Sequence, residues 1–177
     1  MTRSAFRPTH AAIAAAILLA GCVPPPAAPP PAPAPSPTPV PTVAAPAPVD
    51  WQDRAWTPGT WTYAQDARGS RALYGRPGED AAVLVRCDRA ARAIFLSRAG
   101  RSPAPFTIRT TSVTRAVAAQ PTGAQPPYMA ARFEVNDRLL DAMIFSRGRF
   151  TVEQPGTAPT VLPPWAELAR VVEDCRG

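Results

Sequence analysis

The chain has 177 residues, with 19 basic side chains against 13 acidic ones and a formal net charge of +6. That length suits one domain of ordinary size, with a core that needs no metal to hold it. Every basic residue is arginine, so Schiff-base and Ser-Lys chemistry are excluded, and the arginines are scattered rather than clustered, which argues against a nucleic-acid partner.

The first 21 residues join a basic start (Arg3, Arg7, His10) to an apolar run over residues 11–20. The run is shorter than the roughly 20 apolar residues that cross a bilayer as a helix. Taken alone it reads as a poor membrane anchor or a buried helix. It ends, however, in Leu19-Ala20-Gly21-Cys22. This spacing resembles the lipobox of bacterial lipoproteins, and the resemblance covers residues 1–22 only. It implies that residues 1–21 are a signal peptide, and that Cys22 becomes the first mature residue and carries a lipid. In that family the residue after the cysteine influences sorting; Val23, in place of aspartate, implies the outer membrane. The expected location is therefore the outer membrane, lipid-anchored, with the domain in the periplasm. Removing Arg3 and Arg7 leaves 17 basic residues against 13 acidic ones, and removing His10 leaves no histidine.

Residues 23–49 carry 13 prolines, no glycine and no charge. Proline fixes φ and removes the backbone donor, so neither helix nor sheet propagates through such a run. A polyproline-II spacer is expected, reaching up to ~80 Å at about 3.1 Å per residue. The competing reading, a proline-rich ligand for a recognition domain, lacks a basic flank. Residues 50–177 then form the single globular domain.

Trp51, Trp56 and Trp61 recur every five residues, a spacing that matches neither helix nor strand. A sugar-stacking platform and a membrane-facing patch are two readings; rings lidding the core is the simpler one. From Thr60 the chain reads as short strands separated by turn residues. Residues 60–64 lead through the turn Asp66-Ala67-Arg68-Gly69 into residues 70–74. Over residues 81–87, Val83, Val85 and Cys87 share the expected core face, against Leu84 and Arg86. Residues 92–98 form a partner strand with Ile94, Phe95 and Leu96, followed by a loop over residues 100–105. Residues 106–111 alternate, residues 113–119 form a weaker strand, and residues 121–127 form a loop. Residues 128–135 give the clearest half-buried strand, with Met129, Ala131, Phe133 and Val135 on one face.

The period then changes. Asn136 is placed to cap a helix opening at Asp137, whose charge suits the positive end of the dipole. Leu139, Leu140, Met143 and Ile144 form its stripe, and Gly148 stands as its C-terminal glycine; a strand over residues 142–145 is the alternative. Phe150 and Val152 continue as a strand ended by Pro155-Gly156. Pro163-Pro164 opens a final helix to about Cys175, with Trp165, Leu168, Val172 and Cys175 on one face. The expected class is α+β, mainly β: an antiparallel sandwich or partly open barrel of seven or eight short strands, with the C-terminal helix packed on it.

With Cys22 taken by lipid, Cys87 and Cys175 remain. Two cysteines in an exported domain pair in an oxidising compartment; two buried free thiols are the alternative. Without histidine, neither a Ser-His-Asp triad, a Cys-His pair nor a histidine metal site can be built. No cofactor and no metal are expected. Ser146-Arg147-Gly148-Arg149 lacks the lysine and glycine spacing of a phosphate loop. On a strand Arg147 and Arg149 would point the same way, so they are the candidate anion-binding pair, against a solvated strand face. Among the carboxylates, Asp137 and Asp141 lie about one helical turn apart, a pair that in principle serves glycoside hydrolysis, although capping and solvation explain both more simply.

The expected function is that of a non-enzymatic envelope lipoprotein, acting by binding or structurally on peptidoglycan, lipopolysaccharide or a protein. Two rivals stand beside it. Gly69-Ser70-Arg71-Ala72-Leu73-Tyr74 is similar to the loop of small lysozyme-inhibiting lipoproteins, although here it precedes Arg86-Cys87. A carboxylate-only hydrolase of envelope glycans is the other.

Overall fold

The structure, a computed structural model, describes residues 50–177. The signal segment, Cys22 and the proline-rich stretch over residues 23–49 lie outside the described residues. Ten strands and two helices follow one another: β1 (Thr60–Asp66), β2 (Gly69–Gly75), β3 (Val83–Asp88), β4 (Ala93–Ala99), β5 (Phe106–Arg109), β6 (Thr114–Val117), β7 (Gln120–Pro121), β8 (Tyr128–Glu134), α1 (Arg138–Ile144), β9 (Phe150–Glu153), β10 (Thr160–Leu162) and α2 (Ala166–Arg176). They form two antiparallel sheets, one of six strands ordered β1-β2-β3-β4-β8-β7 and one of four ordered β10-β9-β5-β6. The class is mainly-β α+β, a sandwich with a C-terminal helix, as the strand pattern implies. β7 and β10, two and three residues long, are additions to the expected set.

Alternation decides which face of the large sheet is buried. Val83, Val85 and Cys87 of β3 lie inward with Ile94 and Leu96 of β4 and Met129, Ala131 and Phe133 of β8. The small sheet adds Phe106, Ile108, Phe150 and Val152 to the same cluster, and the helices add Leu139, Leu140, Met143, Leu168, Val171 and Val172. The β1–β2 hairpin is closed by a two-residue loop, with Asp66 paired to Gly69. Gly69 sits at φ +148°, and a Cβ there would come within 2.5 Å of the Cys87 carbonyl oxygen. Only glycine lets β3 end that close to the hairpin.

Cys175 is bonded to Cys87, with the two Cα atoms 5.4 Å apart. The bridge fixes the last turn of α2 to the inner face of β3. Three local expectations need correction. Asp137, not Asn136, caps α1: its side chain accepts from the Leu139 N–H at 2.8 Å, and the helix begins at Arg138. Asp is the better acceptor toward a helix N-terminus because it adds charge to the hydrogen bond. Gly148 is not the C-cap; the helix ends at Ile144 and is capped by Phe145, and Gly148 at φ +76° makes the turn into β9. Trp165 is the N-cap of α2 and remains 49% exposed, so it does not share the packed face. That face is Leu168, Val171 and Val172, with the bridged Cys175 packed at its margin.

The segment ahead of β1 is fastened across the small sheet. Thr57 donates its N–H to the Val161 carbonyl at 3.1 Å, and its hydroxyl accepts from the Val161 N–H at 2.9 Å. Tyr74 donates its hydroxyl to the Thr57 carbonyl at 2.7 Å, and Arg54 pairs with Glu153 at 2.7 Å. Next to these fastenings along the chain, Arg98 is only 8% exposed yet has no carboxylate among its hydrogen-bond partners. Its guanidinium donates to the Thr160 and Thr157 hydroxyls at 2.9 and 2.7 Å, to Gln154 Oε1 at 3.4 Å and to the Ala158 carbonyl at 2.5 Å. Burial lowers its pKa. One cation thus ties the β9–β10 connection to β4.

Candidate functional site: a groove on the outer face of the six-stranded sheet

The face of β3, β4 and β8 that turns away from the core is not a solvated polar surface. Antiparallel register puts cross-strand partners side by side, and two rows result. In one, Leu84 pairs with Ser97 and Ser97 with Ala130, and Ala130 faces Gln120 of β7. In the next, Arg86 pairs with Phe95 and Phe95 with Arg132. These residues floor a groove of about 880 Å³ whose wall is the chain from β6 through β7, including Arg115, Val117, Ala118, Pro121 and Ala124. The volume falls within the range of roughly 300–1,000 Å³ that small-molecule sites occupy.

Four arginines line it, Arg68, Arg86, Arg115 and Arg132, and no carboxylate does. Each of them is paired with an acid beside it. Arg86 holds Asp66 through both Nη atoms at 2.9 and 3.1 Å, Arg68 holds Asp88 at 2.5 Å, Arg115 holds Asp137 at 2.7 Å, and Arg132 pairs with Glu134. The Arg86 guanidinium keeps the Asp66 carboxyl far below the usual carboxylate range. Arg68 and the Ala91 N–H lower Asp88 in the same way. At Asp137 burial works to raise the pKa, but Arg115 and the Leu139 N–H outweigh it and the net shift is downward. These acids therefore stay ionised and fix the forks in place.

The groove is polarised along its length. Arg86 and Arg132 lie towards the ends of β3 and β8, Arg68 joins them through Asp88, and Arg115 through Asp137, which follows β8. Leu84, Ala130 and Tyr128 lie toward the other end, beside β7, with Pro121 and Ala124. One end carries the ion-paired arginines and the other is apolar.

The residues singled out from sequence are elsewhere. Arg147 and Arg149 precede β9 rather than lying in it, so strand alternation does not set their directions. Arg149 donates to the Arg54 carbonyl and stacks 4.3 Å over the Trp56 ring, while Arg147 is exposed and its backbone N–H donates to Thr111 Oγ1 at 3.1 Å. Trp61 is buried, donating Nε1–H to the Pro163 carbonyl at 2.8 Å, and Tyr74 lies tilted against it at 5.1 Å. Trp56 and Trp165 border a smaller cleft of about 390 Å³. Asp137 and Asp141 do not face a common cleft: the first caps α1 and holds Arg115, and the second pairs with Arg176 at 2.8 Å. The segment Gly69–Gly75 is not a loop but strand β2, paired on both sides by β1 and β3.

Sequence alternation marks the outward face of the strands that floor the groove. Alternation already turns Leu84 and Arg86 away from the core in residues 81–87, and Ala130 and Arg132 in residues 128–135. A phenylalanine, Phe95, on the same outward side is the mark of a face that is not simply solvated. No protein-family model matches the chain, and neither the curated proteins nor the solved structures contain a match.

Proposed function

We propose that the chain is a lipid-anchored protein of the bacterial envelope, held to the outer membrane through Cys22, whose periplasmic domain acts by binding and not by catalysis. The groove on the outer face of the six-stranded sheet is its binding surface. The observation that carries this reading is the groove itself: a ligand-sized concavity lined by apolar side chains and four arginines with no carboxylate among them. The lipobox-like Leu19-Ala20-Gly21-Cys22 supports the address. The Cys87–Cys175 bond supports an oxidising compartment, since such bonds persist outside the cytosol. The mature chain has no histidine and no lysine, so carboxylates would have to perform any acid-base chemistry alone, and those at the groove are ion-paired.

Two measurements test the two halves. Metabolic labelling with a palmitate analogue should mark the wild-type protein in the outer-membrane fraction and leave Cys22→Ser unlabelled; equal labelling of both removes the anchor. Crosslinking from the groove in intact envelopes should capture a molecule that is lost when Cys22→Ser misplaces the domain. Capture that does not depend on Cys22 would count against a role at the membrane.

A further inference from the structure

We infer that the groove takes a single-chain acyl amphiphile with an anionic head, the head at the arginines and the chain along Leu84, Ala130 and the β6–β7 wall. This deepens the binding role proposed above and rests on it. The inference comes from the way charge and apolar surface are divided. A site for a small inorganic anion would need the four forks but not the apolar half of the floor. A site for a neutral amphiphile would need the floor but not the forks.

Register sets the head end. Phe95 lies directly between Arg86 and Arg132 on neighbouring strands, so two guanidinium groups flank one aromatic ring across the floor. Guanidinium donors suit the paired oxygens of a phosphate or carboxylate. Their own acids leave donors to spare: Arg115 uses Nη2 alone on Asp137, and Arg132 uses Nη1 alone on Glu134. Spare arginine donors at one end of the groove and an apolar floor at the other are complementary to an anion with a hydrocarbon tail, and burying each CH₂ of the tail contributes by the usual hydrophobic term. Ser97, nearly buried at the middle of the floor between Leu84 and Ala130, is the polar group nearest that track.

The test uses the full chain in phosphatidylcholine nanodiscs, irradiated with a diazirine-bearing dodecyl phosphate, with adducts mapped by mass spectrometry. Adducts should fall on the segment from Val117 to Ala130. Unlabelled dodecyl phosphate should compete at least ten times better than dodecyl maltoside, and inorganic phosphate should not compete. Arg132→Gln, whose ion pair is exposed, should cut labelling at least fivefold, and Ala130→Phe, which fills the floor, should abolish it. If Ala130→Phe does not keep the wild-type near-UV spectrum, Ala118→Trp on the exposed wall replaces it. Adducts spread outside the groove, equal competition by the maltoside, or unchanged labelling in these variants would each overturn the inference. A benzoylphenylalanine at Ala118 in intact envelopes separates this failure from failure of the binding role. A protein adduct without a lipid adduct sinks the acyl ligand and keeps the role; no adduct of either kind sinks both.

Discussion

Opening the Cys87–Cys175 bond should lower the melting temperature of the domain by about 17 °C. The bridge joins positions 88 residues apart. On the chain-entropy description, a loop of that length restricts the unfolded chain by about 15 cal/mol/K, or about 4.6 kcal/mol at 25 °C. A domain of about 128 residues unfolds with an entropy near 0.27 kcal/mol/K, at about 2.1 cal/mol/K per residue. The quotient gives the shift. Cys87 is fully buried, so its replacement by alanine adds a small packing loss of about 1 kcal/mol. The comparison is calorimetry of wild type against the Cys87→Ala/Cys175→Ala double variant. Wild type treated with reductant should melt about 4 °C above the variant, the difference being that packing loss, and the variant should still fold at 25 °C because Leu168, Val171 and Val172 keep α2 on the sheet. A fall of less than about 5 °C would refute the reasoning, for it would mean that the unfolded chain is not the state the bridge restricts.

Other expectations follow from the ion pairs and from Arg98. Asp66, Asp88 and Asp137 all sit below the ordinary aspartate value of 3.8. Between the folded and unfolded values the unfolded chain binds more protons, so stability rises with pH there. The melting temperature should be flat from neutral pH to about pH 5 and fall as pH drops through 3.8 and below; a flat profile to pH 2 would contradict the pairs. Arg98→Met should cost about 2–3 kcal/mol in urea unfolding, because the buried Thr160 hydroxyl and Gln154 Oε1 lose a charged donor. No change would mean that the desolvation of the buried charge cancels its hydrogen bonds. The purified protein should not inhibit lysozyme at micromolar concentration, because Gly69–Gly75 is an interior strand whose backbone is already paired on both sides; inhibition would reopen that reading.

Much of the sheet was legible because its strands are half-buried and alternate. Residues 81–87 and 128–135 declare an inward face, and the structure buries those side chains. β7 and β10 were not legible: two residues show no period, and the Thr160, Val161 and Leu162 of β10 are all buried, which erases the contrast alternation depends on. The N-cap of α1 was misplaced by one residue, since Asn136 and Asp137 are both good cap residues, and its C-cap by three, from Gly148 to Phe145. The cysteine pair could be read by counting. The groove could not, because it depends on strand order. Arg132 meets Phe95 only because β8 returns to lie beside β4 after a departure through the small sheet, and no local pattern records that neighbour.

The fastening ahead of β1 has a mechanical consequence. A pull applied at Asp50 reaches Arg54 and Thr57 first, where the ion pair to Glu153 and the two hydrogen bonds to Val161 lie close together along the chain. Contacts loaded side by side share a force and resist it better than contacts opened one after another, and it is the unfolding rate under load that this sets. Behind them the bridge from Cys87 to Cys175 makes the rest of the chain a closed ring that no tension from the N-terminal side can lengthen. Even if β1, β2 and the start of β3 with Leu84 and Arg86 were torn away, β4 to β10 would remain inside that ring, and with them Phe95, Ser97, Ala130 and Arg132 of the floor and the wall of the groove.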